Sequence, residues 1–171
     1  GVGKTLAYLV PSVNSDRKVV ISTGTRNLQD QIYYLDLPQT LQVLNKSRNV
    51  ALLKGRSNYL CIHRMEHFQP RLETSSELVN DYRVIAEWRM LTQVGDISEV
   101  EAVHENAAIW PWVTSTRDNC LGAQCPEYNR CFLLKARKRA QQADIVIINH
   151  HLLFADMALK EDGFGELLPD A

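Results

Sequence analysis

Gly1-Val2-Gly3-Lys4-Thr5 opens the chain, and Leu6-Ala7-Tyr8-Leu9-Val10 follows it directly. Gly3-Lys4-Thr5 matches the end of the phosphate-binding pattern G-x-x-x-x-G-K-[ST], whose first glycine would stand before residue 1. In such a loop glycine lets backbone N–H groups close on phosphate oxygens, at a helix N-terminus whose dipole favours the anion. Lys4 would then reach the β and γ phosphates of ATP, and the Thr5 hydroxyl would bind Mg²⁺. These two carry the catalytic assignment, and Gly1, Val2, Gly3, Lys4 and Thr5 together form the nucleotide-binding segment. A chance Gly-Lys-Thr is the competing reading, and the apolar helix and buried strand that come directly after the motif count against it.

Working outward, Lys18-Val19-Val20-Ile21-Ser22-Thr23 is a β-branched run of the kind buried on both faces of a parallel sheet. Asn49-Val50-Ala51-Leu52-Leu53 and Asp144-Ile145-Val146-Ile147-Ile148-Asn149 repeat the pattern. Between the first two, Leu28, Ile32 and Leu35 recur at helical spacing, and Pro38 is expected to break that helix and start another. Pro11 leaves the length of the first helix open. Loop, helix, strand, helix, strand and a later strand describe an α/β nucleotide-binding fold with a parallel sheet. Residues from about Arg56 to Ala143 interrupt the alternation, with Leu78, Tyr82, Ile85, Trp88 and Leu91 predicting one long amphipathic helix. The expected organisation is therefore 1–55 as the first part of a motor-type domain, 56–143 as an insertion, and 144–171 as the return, with 161–171 a loop. The 171 residues fit one ordinary domain, and no apolar run approaches a membrane span. No secretory signal is visible, so the expectation is a cytoplasmic piece of a longer protein. A net charge of −1 argues against a uniformly basic coat but leaves room for a local basic groove.

The insertion holds Cys61, Cys120, Cys125 and Cys131, the only cysteines of the chain. In a reduced, non-secreted nucleotide-binding protein, four soft ligands point to a metal centre rather than to disulfides. Four residues separate Cys120 from Cys125, and five separate Cys125 from Cys131. Structural zinc usually takes tight pairs, whereas three bunched cysteines with a distant fourth suit iron–sulfur ligation better. Spacing alone leaves both open. His63 and His67, one turn apart beside Cys61, are substitute ligands only if a cysteine fails; a solvated helix face is their plainer reading. Joining Cys61 to the trio would close a long loop and hold the insertion folded.

Arg130, Lys135, Arg137, Lys138 and Arg139 crowd together without an acidic residue among them. Lys135, Lys138 and Arg139 share a helical face beside Cys131, a stripe suited to tracking phosphates, or equally to a solvated surface. Arg56 and Tyr59 add a cation and a stacking ring before Cys61. Thr23, Thr25, Gln29 and Gln31 follow the first strand's C-terminal end, where α/β folds place ligands, and suit a nucleic-acid backbone or, alternatively, helix capping. Trp110 and Trp112 read as packing residues before base-stacking ones.

Taken in order, Gly-Val-Gly-Lys-Thr, Ile-Ser-Thr-Gly-Thr-Arg-Asn-Leu-Gln-Asp-Gln, Leu-Lys-Gly-Arg-Ser-Asn-Tyr-Leu-Cys, the cysteine trio and Ile-Ile-Asn-His-His-Leu-Leu resemble DinG/XPD-type superfamily 2 helicases over essentially the whole chain, most like the bacterial YoaA branch. The resemblance implies part of a RecA-like P-loop NTPase domain with a parallel sheet, interrupted by a mostly helical iron–sulfur insertion. It implies an ATP-dependent DNA helicase moving 5′ to 3′ on single-stranded and forked DNA, in repair or replication. It further implies a 4Fe-4S cluster on Cys61, Cys120, Cys125 and Cys131, and puts Ser22 to Gln31 on a motif that touches the tracking strand. The acidic box that positions Mg²⁺ and the attacking water would be expected after Ala171, so this segment should not hydrolyse ATP alone. A zinc-binding nucleic-acid module and a redox-switched P-loop enzyme are the alternatives from other classes.

Overall fold

The computed structural model describes residues 3–68 and 75–161. Gly1 and Val2 of the phosphate loop lie outside the described residues, as does the loop expected over 161–171 apart from Glu161. The chain divides into two compact units, one formed by 1–54 with 136–171 and the other by 55–135.

Among the described residues the first unit is built on three strands, β1 (Val19–Thr23), β2 (Val50–Leu52) and β3 (Ile145–Asn149), in the order β1-β3-β2 and all parallel. Register runs from Val19 opposite Ile145 to Thr23 opposite Asn149, and from Val50 opposite Ile145 to Leu52 opposite Ile147. The central strand is the most apolar: Ile145, Val146, Ile147 and Ile148 are all fully buried. A strand covered on both faces has no use for alternation, which is why this run reads as continuous hydrophobic sequence. Helix α1 (Gly3–Asn14) contributes Leu9 and Val13 to a core with Ile21, Ile32, Leu37, Ile145 and Ile147. Pro11 lies inside α1 and does not shorten it.

The helix after β1 departs from expectation. Pro38 does not break it. Helix α2 (Arg26–Gln31), a π-helical turn over Ile32–Asp36 and helix α3 (Leu37–Val43) follow one another without a gap. In the wide turn Leu37 N–H donates to the Ile32 carbonyl, five residues back. Such a turn displaces the carbonyl that the Pro38 ring would otherwise strike, and it absorbs the missing N–H. Thr40 Oγ1 donates to the Asp36 carbonyl at 2.7 Å. The extra residue also shifts the helical phase after Ile32, so Leu35 is exposed and Leu37 buried, while ahead of the turn Leu28 is exposed and Gln29 buried. Asn45 ends the helix at φ 48°, with Lys46 N–H donating to the Leu41 carbonyl at 3.0 Å. Asparagine is one of the few residues that tolerates this left-handed stop.

Gln29 is fully buried and its Nε2 donates to the carbonyls of Leu53 (3.0 Å) and Ile147 (3.3 Å), so one amide braces the residue after β2 and the middle of β3. Beside it Lys54 Nζ meets Asp30 Oδ1 at 2.9 Å in a pair whose lysine is almost wholly buried.

The second unit contains α4 (Ile62–His67), α5 (Ser76–Arg89), α6 (Trp110–Val113) and short 3₁₀ turns at Arg56–Asn58, Ile97–Glu99, Gly122–Gln124 and Tyr128–Arg130. Isolated antiparallel bridges join Tyr59 to Asp96 and Leu60 to Thr114. Ile62, Met65, Ile85, Ile109, Val113 and Phe132 supply its buried apolar side chains. The predicted long helix ends at Arg89, and Leu91 lies beyond it, 77% exposed. Helix α7 (Phe132–Gln142) begins in this unit and ends in the first. The second compact unit ends at Lys135. Within the first unit, the last turns of α7 are tied down by Lys18 Nζ, which donates to the carbonyls of Ala140 (2.8 Å) and Gln141 (2.7 Å). Asn49 Nδ2 adds a bond to the Gln142 carbonyl at 3.2 Å.

Two substitutions test these packing arguments by urea or thermal unfolding of the full-length protein. Gly95 has φ +67°, and a Cβ there would overlap the Phe132 ring. Gly95→Ala is expected to cost about 2–4 kcal/mol from left-handed strain plus overpacking. Gln29→Leu leaves the Leu53 and Ile147 carbonyls without this donor and should cost about 1–3 kcal/mol. A change within measurement error at either position would contradict the packing described.

Candidate functional site

Three groups of side chains carry chemistry. The first is the start of α1. Gly3 opens the helix, Lys4 in its first turn is exposed, and Thr5 is half-buried. A Cβ at Gly3 would meet nothing within 4 Å, and the first turn holds no acidic residue that would repel an anion. Buried Leu9 and Val13 fix the helix axis, so the exposed N–H groups and Lys4 present at a defined place.

The second group is the cysteines. All four fall in the second unit, all are half-buried, and none is in a disulfide. Cys61 precedes α4, its N–H donating to the Val113 carbonyl at 2.8 Å. Cys125 and Cys131 each end a 3₁₀ turn and donate back to the carbonyls of Gly122 and Tyr128 at 3.2 Å. Gly122, at φ +57°, aims its N–H at Cys120 Sγ, 3.5 Å away. Turns so short leave neither helical nor strand periodicity in the sequence. Burial pushes the Cys61 thiol up from its usual pKa; a hydrogen bond from the Arg64 backbone opposes this, and the fields of Cys131, Cys125 and Cys120 push it further up. Among the described residues no three His, Cys, Asp or Glu side chains are close enough to hold a single metal ion. His63 and His67 stack on each other, and His67 Nδ1 lies 2.7 Å from the His63 carbonyl, bonded within its own helix.

The third group is polar and basic. Lys135, Lys138 and Arg139 are all exposed on α7, and Lys135 Nζ sits 5.7 Å from the Phe132 ring centre. Arg130 pairs with Glu127 at 3.0 Å, which removes it from the stripe. Arg56 is half-buried in its 3₁₀ turn. Tyr59 is buried, with 4% of its surface exposed, so the stacking role expected for it has no accessible ring face. Trp110 is buried with Nε1 donating to the His104 carbonyl at 2.8 Å, while Trp112 is exposed beside Phe68.

At the C-terminal end of β1, Thr25 is exposed and caps α2 by accepting from Leu28 N–H at 3.2 Å. Gln31 is exposed and donates to Asp36 Oδ2 at 3.1 Å. Thr23 and Gln29 are corrected: both are buried, with Thr23 Oγ1 bonded to the carbonyls of Thr25 (3.1 Å) and Ile148 (3.4 Å) and Gln29 bracing two strands. Their polar atoms serve the fold and not a surface contact. Sequence reasoning missed the contact between Ser22 Oγ and His150 Nδ1, 2.7 Å, and the ion pair of Lys54 with Asp30. The adjacent histidines after β3 were the signal for the first; nothing in a lysine flanked by leucine and glycine announced the second.

No family model matches the chain. It is 51% identical over 174 residues to the ATP-dependent DNA helicase YoaA of Escherichia coli, an alignment covering all of this chain and 27% of that protein. The same named protein of Haemophilus influenzae is 46% identical over 177 residues, again with all of this chain and 27% of the relative covered. The ATP-dependent helicase DinG of Mycobacterium tuberculosis is 35% identical over 181 residues, covering 91% of this chain and 27% of the relative. The chain thus spans about a quarter of the length of these curated relatives. Likeness of this strength, sustained from one end of the chain to the other, makes it a member of the DinG/XPD-type helicase family, in the YoaA branch.

Proposed function

We propose that this chain is the phosphate-loop and cysteine-bearing part of an ATP-dependent DNA helicase that moves 5′ to 3′ along single-stranded DNA and opens forked duplexes in DNA repair or replication, in the cytoplasm. The observation that carries the reading is the 51% identity, over the entire chain, to a protein named as an ATP-dependent DNA helicase. In this reading 1–55 and 144–171 belong to a RecA-like motor domain and 56–143 is an insertion within it. ATP turnover belongs to the full-length protein, which supplies the acidic group that positions water and Mg²⁺.

Gly1 to Thr5 would hold ATP. Lys4 would neutralise charge on the β and γ phosphates, and Thr5 would contribute its hydroxyl to Mg²⁺. Cys61, Cys120, Cys125 and Cys131 would hold a 4Fe-4S cluster. The fit rests on donor chemistry. Four soft thiols share one unit, all half-buried and none in a disulfide, a donor set that suits iron or zinc. Three bunched cysteines with a distant fourth suit an iron–sulfur centre better than the tight pairs that structural zinc usually takes. When bound, the cluster would supply a rigid crosslink that holds the turns around Cys120, Cys125 and Cys131 against Cys61. Thr25 and Gln31, together with Arg56, Lys135, Lys138 and Arg139, remain exposed or half-exposed and suit the sugar-phosphate chain.

Lys4→Ala in the full-length protein is expected to lower ATP turnover by about a hundredfold or more while sparing DNA binding. Unaltered turnover would refute the phosphate-loop role. For the cysteines, metal analysis and visible absorption of anaerobically purified full-length protein decide the matter. Iron with a brown chromophore is expected, and Cys125→Ser should lose both and unwind poorly while still hydrolysing ATP. A colourless, zinc-loaded protein overturns the cluster.

A further inference from the structure

The motif Ile147-Ile148-Asn149-His150-His151 carries side chains that have no task in the helicase reading so far. β1 and β3 are paired neighbours whose register ends at Thr23 opposite Asn149, so Gly24 and His150 leave the sheet side by side. The edge of the His150 ring lies against Gly24: a Cβ on that glycine would stand 3.8 Å from both Cδ2 and Nε2. Ser22 Oγ, 2.7 Å from Nδ1, holds the ring in one orientation. One turn along α8 (His150–Glu161), Phe154 is 63% exposed, and its ring centre is 6.2 Å from that of His150 at an interplanar angle of 50°. Asn149 Oδ1 accepts from Leu152 N–H at 2.8 Å and secures the turn that carries both rings.

An oriented imidazole and an exposed phenyl thus form a step at the C-terminal end of two adjacent strands, where ligands of open α/β sheets bind. Thr25 and Arg26, both exposed, continue from Gly24 on the same end of the sheet. A pair of rings is far too small for a protein interface, but it matches one nucleobase, whose flat face stacks on an aromatic ring whatever its sequence. We propose that His150 and Phe154 form a stacking platform for a base of the single strand, with Ser22 as the positioning residue that locks the imidazole. The platform rests on the proposed binding of single-stranded DNA and adds a base contact to what is otherwise a set of backbone contacts.

The test uses the full-length protein and two fluorescent strands of equal length, one of oligothymidine and one of abasic sugar-phosphate units, read by anisotropy. The wild type should prefer oligothymidine. Changing His150→Leu and Phe154→Leu together should weaken oligothymidine binding about tenfold or more and leave abasic binding unchanged. Phe154→Trp should hold or raise the affinity for oligothymidine alone, and Ser22→Ala should give part of the loss. Wild-type affinity in the double variant, or an equal loss on both strands, overturns the platform while leaving the helicase reading standing. A wild type that binds neither strand overturns both.

Discussion

β1 and β2 share no hydrogen bond with each other. The strand that joins them, Ile145–Asn149, comes only after the whole second unit has been traversed, and it pairs with both at once. The sheet of the first unit therefore exists only when the chain has returned. Closing so long a loop costs entropy that no local contact repays, and the four consecutive buried residues of β3 are what repay it. A well-packed intervening unit shortens the effective loop, because a folded segment brings its two ends to fixed positions. The proposed thiolate ligation inside that unit would have the same consequence.

Buried polar groups reinforce the sheet of the first unit. Gln29 ties α2 to the carbonyls of Leu53 and Ile147, and Asp30 meets Lys54 at the residue where the first unit gives way to the second. A buried ion pair adds little net stability, but losing one partner leaves an uncompensated charge, so the pair fixes geometry more than it adds strength. Here it holds the helix that follows β1 in a set relation to the strand end beside it. The exposed face of that helix, with Thr25 and Gln31, and the start of α8, with His150 and Phe154, are both positioned by this frame.

Much of the architecture is legible in the residues. Lys18 to Thr23, Asn49 to Leu53 and Asp144 to Asn149 read as strands because β-branched residues with no alternation suit a sheet covered on both faces, and the strands lie there within a residue or two. Pro38 misleads because a single proline carries no information on whether a wider turn can accommodate it. The exposure of Lys135, Lys138 and Arg139 follows from helical spacing alone. Thr23, Gln29 and Tyr59 mislead in the opposite direction, since polar residues and a tyrosine at a strand end look available until their burial is known.

Residue order alone establishes which segments form strands and most of the helices, that a glycine-lysine-threonine turn precedes an apolar helix, and that four thiols lie in one interrupting stretch. Local pattern suffices for these because secondary structure and ligand type depend on near neighbours. Long-range packing is what puts β3 between β1 and β2, turns Gln29 inward, brings Cys61 within the field of three distant cysteines, and sets Ser22 against His150. Each of those depends on which segments distant in the chain come into contact, and a contact across such distances leaves no local signature in the residues that make it.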